Sequence, residues 1–122
     1  MDHHADAAPP PDNYCAFACG QTLFERGDPG DVLYIVAEGQ VEIRAGEQLL
    51  ETIGPGGIVG EMALIDDQPR MATAIAHTDC LLTPVSRTHF LTLVQRNPRF
   101  ALQVMRVMAD RLRRAAVHIT GS

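Results

Sequence analysis

The sequence predicts a mainly β domain, a small antiparallel barrel or sandwich over residues 14–85, followed by two α-helices at about 87–95 and 98–118. Three observations carry this. Between Tyr14 and Val85 the apolar runs are short, and turn residues interrupt them about every ten positions, the spacing of small antiparallel β folds. After Val85 the apolar period changes from 2 to 3.6, the signature of helices. With 122 residues, 46% hydrophobic and 20% charged, the chain has room for one domain with one core.

Residues 1–12 carry His3-His4 and Pro9-Pro10-Pro11 but neither a basic n-region nor an apolar h-region. They read as a flexible leader rather than a signal peptide. Candidate strands follow at Tyr14–Phe17, Thr22–Phe24, Val32–Val36, Val41–Ile43, Leu49–Ile53, Ala72–Ala76 and Cys80–Val85. Gly27-Asp28-Pro29-Gly30 is a turn by its chemistry, since proline presets φ and glycine admits positive φ. Gly39, between two strand-like runs, reads as a tight hairpin turn. Ser86 is a candidate N-cap for the first helix, and Asn97-Pro98 supplies a cap and a first helical residue for the second.

On the second helix Phe100, Val104, Val107-Met108, Leu112, Ala115 and Ile119 form one apolar stripe. Ala101, Met105, Met108, Leu112 and Ala116 form another beside it. From Pro98 to His118 the helix would run roughly 30 Å, more than so small a barrel covers. Two adjoining stripes predict two clients, the barrel and either a second copy of the chain or an effector domain. One broad stripe facing a single core is the alternative.

Charge is divided unevenly. Residues 1–86 hold fourteen acids and three arginines, residues 87–122 seven arginines and one acid, and lysine is absent. An acidic body argues against nucleic acid as a direct partner, and the basic tail reads as a solvated helix face or as attracted to that body. No run approaches the roughly 18 apolar residues of a membrane span. Three cysteines, Cys15, Cys19 and Cys80, make an odd count that favours free thiols in a reducing, cytoplasmic setting. They read as buried small hydrophobes, because Cys15, Cys19 and Cys80 with nearby His77 lack the paired spacing of zinc sites. Neither metal nor cofactor is expected. His77, His89 and His118 are scattered over different elements, with no nucleophile set or carboxylate pair, so no enzyme is expected.

The most informative stretch runs from Gly56 to Thr73. A glycine-loosened backbone precedes a short apolar segment that begins with a carboxylate, Glu61, and nine residues later comes a single arginine, Arg70. Loop amides at a helix start plus one guanidinium suit a singly charged phosphate. A carboxylate beside them would repel phosphate but can accept hydrogen bonds from a sugar hydroxyl. Phosphate and ribose on one small ligand suggest a nucleotide with one phosphate. Arg70 has a second reading, a surface ion pair with Asp66 or Asp67. Glu61 has one too, as a helix-start carboxylate favoured by the dipole.

The chain closely resembles the cyclic nucleotide-binding domain family from about Phe17 to Arg114. That family includes catabolite activators, regulatory subunits of cAMP-dependent kinase and cyclic nucleotide-gated channels. The resemblance rests on Leu23-Phe24-Glu25-Arg26-Gly27-Asp28-Pro29-Gly30-Asp31 and on Leu33-Tyr34-Ile35-Val36 leading to Glu38-Gly39. Above all it rests on Gly60-Glu61-Met62-Ala63-Leu64 with Pro69-Arg70-Met71-Ala72-Thr73.

The resemblance implies an antiparallel β-roll or jelly-roll barrel before the helices. It implies that Arg70 pairs with a cyclic phosphate and that Glu61 accepts the ribose 2′-hydroxyl. Backbone groups of Gly60, Met62, Ala63, Met71 and Ala72 would form the cradle. Cyclic GMP-selective relatives commonly place a hydroxyl after the arginine, where Met71 stands, so cAMP is expected over cGMP. Catabolite activators read adenine with Thr-Ser on the long helix. Here that level reads Arg111-Leu112-Arg113-Arg114-Ala115-Ala116, so base contact is expected to differ, with Arg111 the candidate for stacking on the purine. The expected role is a sensor whose terminal helices repack when ligand binds. A fragment of a catabolite-activator-type regulator without its DNA-binding part, the detached sensor of a channel, transporter or enzyme, and a nucleotide-independent dimerisation module are the rivals.

Overall fold

Short runs rich in Val, Ile, Leu and Thr form strands because branched side chains pack well on a pleated, half-buried surface. A computed structural model describes residues 14–65 and 68–119, with only the backbone described for Ala63 and for 115–119. The expected leader and the aspartates Asp66 and Asp67 lie outside the described residues. Two units are distinguished, residues 1–87 and 88–122.

In the first unit the strands are β1 (Cys15–Phe17), β2 (Thr22–Phe24), β3 (Val32–Glu38), β4 (Val41–Ala45), β5 (Gln48–Ile53), β6 (Ile58–Val59), β7 (Thr73–Ala76) and β8 (Cys80–Ser86). One helical turn, α1 (Met62–Ile65), stands between β6 and β7. All seven expected strands are present, and β6 is an eighth that its two-residue length hid. The strands form two antiparallel four-stranded sheets in the orders β1-β8-β3-β6 and β2-β7-β4-β5. This is the jelly-roll arrangement. The longest ladder, β3 with β8, runs from Val32 opposite Ser86 to Glu38 opposite Leu81.

Buried residues of both sheets form one core. Val36, Val59, Cys80 and Leu82 come from the first sheet, and Val41, Ile53, Ala74 and Ala76 from the second. β7 shows why the pattern reads clearly, since its burial alternates residue by residue as one face turns inward.

The hairpin expected at Gly39 is not there. β3 and β4 belong to different sheets, so Gly39 carries the chain across the sandwich. The consecutive strands that do pair are β4 and β5, joined at Gly46-Glu47. Gly39 has φ +92°, and a Cβ there would lie 2.3 Å from the carbonyl oxygen of Asp79. Neighbouring hydrogen bonds clamp this crossing to the β7–β8 connection. The amide of Gln40 donates to Thr78 Oγ1 at 3.0 Å, and that of His77 donates to the carbonyl of Gln40 at 2.9 Å.

All three cysteines are free thiols. Cys80 is buried and its Sγ donates to the carbonyls of Gln40 and Thr78. Cys19 departs from expectation: it is exposed, with its thiol held by the carbonyl of His77 at 3.2 Å. Its position in the turn after β1 puts it outside the inward-facing rows.

Burial, reinforced by the neighbouring Cys15 and Asp31 and opposed by Arg70, raises the Tyr34 hydroxyl above its ordinary 10.0. The folded state therefore holds this proton more tightly than the unfolded chain, and stability should fall as pH rises past 10. Urea unfolding between neutral and strongly alkaline pH should show a smaller loss for Tyr34→Phe than for the wild type.

The second unit holds the helices α2 (Arg87–Arg96) and α3 (Pro98–Ile119), close to the expected bounds. Asn97 acts as the foreseen cap: its Oδ1 accepts from the amide of Arg99 at 3.2 Å, and its carbonyl accepts from the amide of Phe100 at 2.9 Å. Phe90 and Phe100 meet across this corner with ring centroids 5.7 Å apart. Among the described residues no helix is long and apolar enough to cross a membrane.

Candidate functional site

Arg70 is fixed at both ends of its residue. Its amide donates to the carbonyl of Asp28 at 2.9 Å, and its carbonyl accepts from the amide of Gly27 at 2.8 Å. The turn after β2 therefore sets where the side chain begins. That turn spans Glu25–Asp28, slightly earlier than the glycine-proline run suggested. The amide of Asp28 donates to the carbonyl of Glu25, and the amide of Glu25 to Asp28 Oδ2, each at 3.0 Å.

The guanidinium then reaches into the sandwich edge. Its Nη2 donates to the carbonyl of Val32 at 2.8 Å and its Nη1 to the carbonyl of Gly60 at 3.2 Å. The cationic carbon lies 4.0 Å from the centroid of the Phe24 ring. Two glycines clear the space it fills. A Cβ on Gly30 would come within 2.2 Å of Arg70 Nε, and one on Gly60 within 2.5 Å of its Nη1. Gly60 also has φ +81°, a left-handed backbone that turns the chain from β6 toward α1 and aims its carbonyl at the arginine.

Arg70 Nε is buried and has no hydrogen-bond partner among the described residues. A buried guanidinium N–H without an acceptor is costly, and an arriving anion would supply the acceptor. Burial pulls the guanidinium below its ordinary value, while Tyr34 and the carboxylates of Asp31, Asp28 and Glu61 act in the other direction. The group stays a cation at neutral pH.

Glu61 is 3% exposed, and its carbonyl accepts from the amide of Leu64 at 3.1 Å to open α1. Gly60, Glu61 and Arg70 are thus brought together from either end of the cassette. Met62 and Met71 are exposed, at 39% and 71%, and Ala72 is half-buried beside Arg70. The Ala63 backbone lies within α1. The alternative ion pair of Arg70 with Asp66 or Asp67 falls outside the described residues. Arg111 stands on α3 in the second unit, and the base contact expected of it belongs to the proposal below.

Sequence reasoning missed Phe24, Gly30 and the Val32 carbonyl. Gly30 was readable as a turn glycine, but what it supplies is room for Arg70 Nε. Among the described residues no three His, Cys, Asp or Glu gather to hold a metal ion.

The family described as "Cyclic nucleotide-binding domain" matches residues 15–97. The chain is similar to the cyclic AMP receptor protein of Thermus thermophilus, 36% identical over 105 residues, covering 82% of this chain and 49% of that protein. It is also similar to the CRP-like cAMP-activated global transcriptional regulator of Mycobacterium tuberculosis, 37% identical over 103 residues, 80% of this chain and 46% of that one. The crystal structure of the Thermus thermophilus catabolite activator protein superposes with a TM-score of 0.78 at 35% identity, covering 88% of this chain and 53% of that chain. The chain thus spans about half the length of the curated relatives it matches.

Proposed function

The chain belongs to the cyclic nucleotide-binding domain family, and from that premise we propose that it is a regulatory sensor of cAMP, with cGMP the weaker ligand. Arg70 pairs with the cyclic phosphate and Glu61 accepts the ribose 2′-hydroxyl. Backbone groups of Gly60, Met62, Ala63, Met71 and Ala72 cradle the two. Met71 offers no hydroxyl to a guanine, which favours adenine. Arg111 contacts the base, and α2 and α3 repack in response, passing the signal to a second copy of the chain or to an effector domain.

The observation that carries this reading is the half-buried Arg70, held in a slot cleared by two glycines with its buried Nε–H lacking an acceptor. One cation set in that way matches one phosphate charge. A second reading draws on the regulators the chain resembles: it is the sensory part of a transcription regulator, with DNA contacts made elsewhere in a longer protein.

Calorimetric titration with cAMP, cGMP and AMP tests the first reading. Saturable binding in the order cAMP, cGMP, AMP is expected, and equal heats from AMP and cAMP would remove it. Gly30→Ala should weaken cAMP binding about tenfold by pushing the guanidinium out of line, read in the same titration.

A further inference from the structure

We propose that Phe24 is a positioning residue for phosphate recognition: its ring is the floor that fixes the plane of the Arg70 guanidinium. The inference rests on the functional reading above. It names a residue that neither the cassette nor the sequence pattern assigns to the site.

Arginine is a long side chain with many rotamers to lose, so a useful anion site must restrain it before ligand arrives. Two carbonyls and one ring do this here. The acceptors of Val32 and Gly60 hold Nη2 and Nη1. Two hydrogen bonds from one end of a planar group still permit a tilt about the line joining them. The ring of Phe24, 4.0 Å from the cationic carbon, removes that freedom by stacking against the guanidinium.

The glycines close the slot. A Cβ on Gly60 would meet Phe24 Cε2 at 3.4 Å and Arg70 Nη1 at 2.5 Å, so ring, backbone and guanidinium are already in mutual contact. Phe24 itself cannot drift, because it packs against the buried core from β2. The buried Nε–H therefore has a fixed direction in which to meet an oxyanion.

An aliphatic residue of similar volume would preserve the packing of Phe24 and lose the ring face. Phe24→Leu should bind cAMP roughly three- to tenfold more weakly, whereas Phe24→Tyr, which keeps the ring, should stay within about twofold of wild type. Equal losses in the two variants, or none in Phe24→Leu, would overturn the proposal.

A nitrogen-15 spectrum of the arginine Nε–H groups, recorded on the ligand-free full chain, needs no nucleotide. The Arg70 resonance should be sharp and displaced by the ring current in the wild type and in Phe24→Tyr. It should move toward the position of a solvated arginine in Phe24→Leu. A wild-type resonance already at that position overturns the proposal even where a variant fails to fold. Absence of cAMP binding by the wild type, with the displaced resonance present, would strike the functional reading and leave the hold of Phe24 on Arg70 standing.

Discussion

Replacing Arg70 by alanine is expected to weaken cAMP binding by two decades or more. The side chain supplies the single cation of the site, and charge-assisted hydrogen bonds are worth about 1.5–3 kcal/mol each. Losing two contacts of this kind to phosphate reaches about a hundredfold. Arg70→Lys keeps the charge but not the plane or the fork, so it should fall between the wild type and Arg70→Ala. The guanidinium also ties the carbonyls of Val32 and Gly60 together, so both variants should melt earlier than the wild type without ligand. Titration below the melting transition separates the two effects. Wild-type affinity in Arg70→Ala would remove the site assignment.

The second large effect is on stability. Gly39→Ala should destabilise the ligand-free protein by about 2–5 kcal/mol, combining a strained positive φ with an overlap against backbone. For a chain of this size the melting temperature should drop by about 10 °C or more. Gly20 provides a matched control, with φ +89° against +92° at Gly39 but open space where its Cβ would go. Gly20→Ala should therefore lose only the conformational part, about 1–2 kcal/mol. Identical losses at the two positions would show that the close approach of Asp79 contributes nothing.

These two residues also mark what the sequence did and did not disclose. Gly39 was recognisable as a turn, since a glycine between two strand-like runs signals a reversal. Which strand came next to which was not recognisable, because β3 finds its partners at residues 58–59 and 81–86 rather than beyond the turn. Arg70, Glu61 and Gly60 stood out because their chemistry is carried by residue type at short spacing. Phe24 did not, because its role arises from contact with a residue 46 positions away that no local pattern encodes. The helix corner was legible in full at Asn97-Pro98, where cap and first residue are neighbours in the chain. Cys19 was misjudged for the opposite reason: its residue type favours burial, and its place in a turn overrides that preference.

The order of strands has a consequence for how the domain comes into being. β8 lies between β1 and β3, and β7 lies between β2 and β4, so both sheets receive an interior member from residues 73–86. A nascent chain emerging from the ribosome can pair β3 with β6 and β4 with β5, yet cannot complete either layer until those last strands appear. Such late, distant pairings slow folding and leave unpaired edges open meanwhile. A polypeptide truncated before Cys80 would carry every residue of the cassette and still lack β8, the strand that joins β1 to β3.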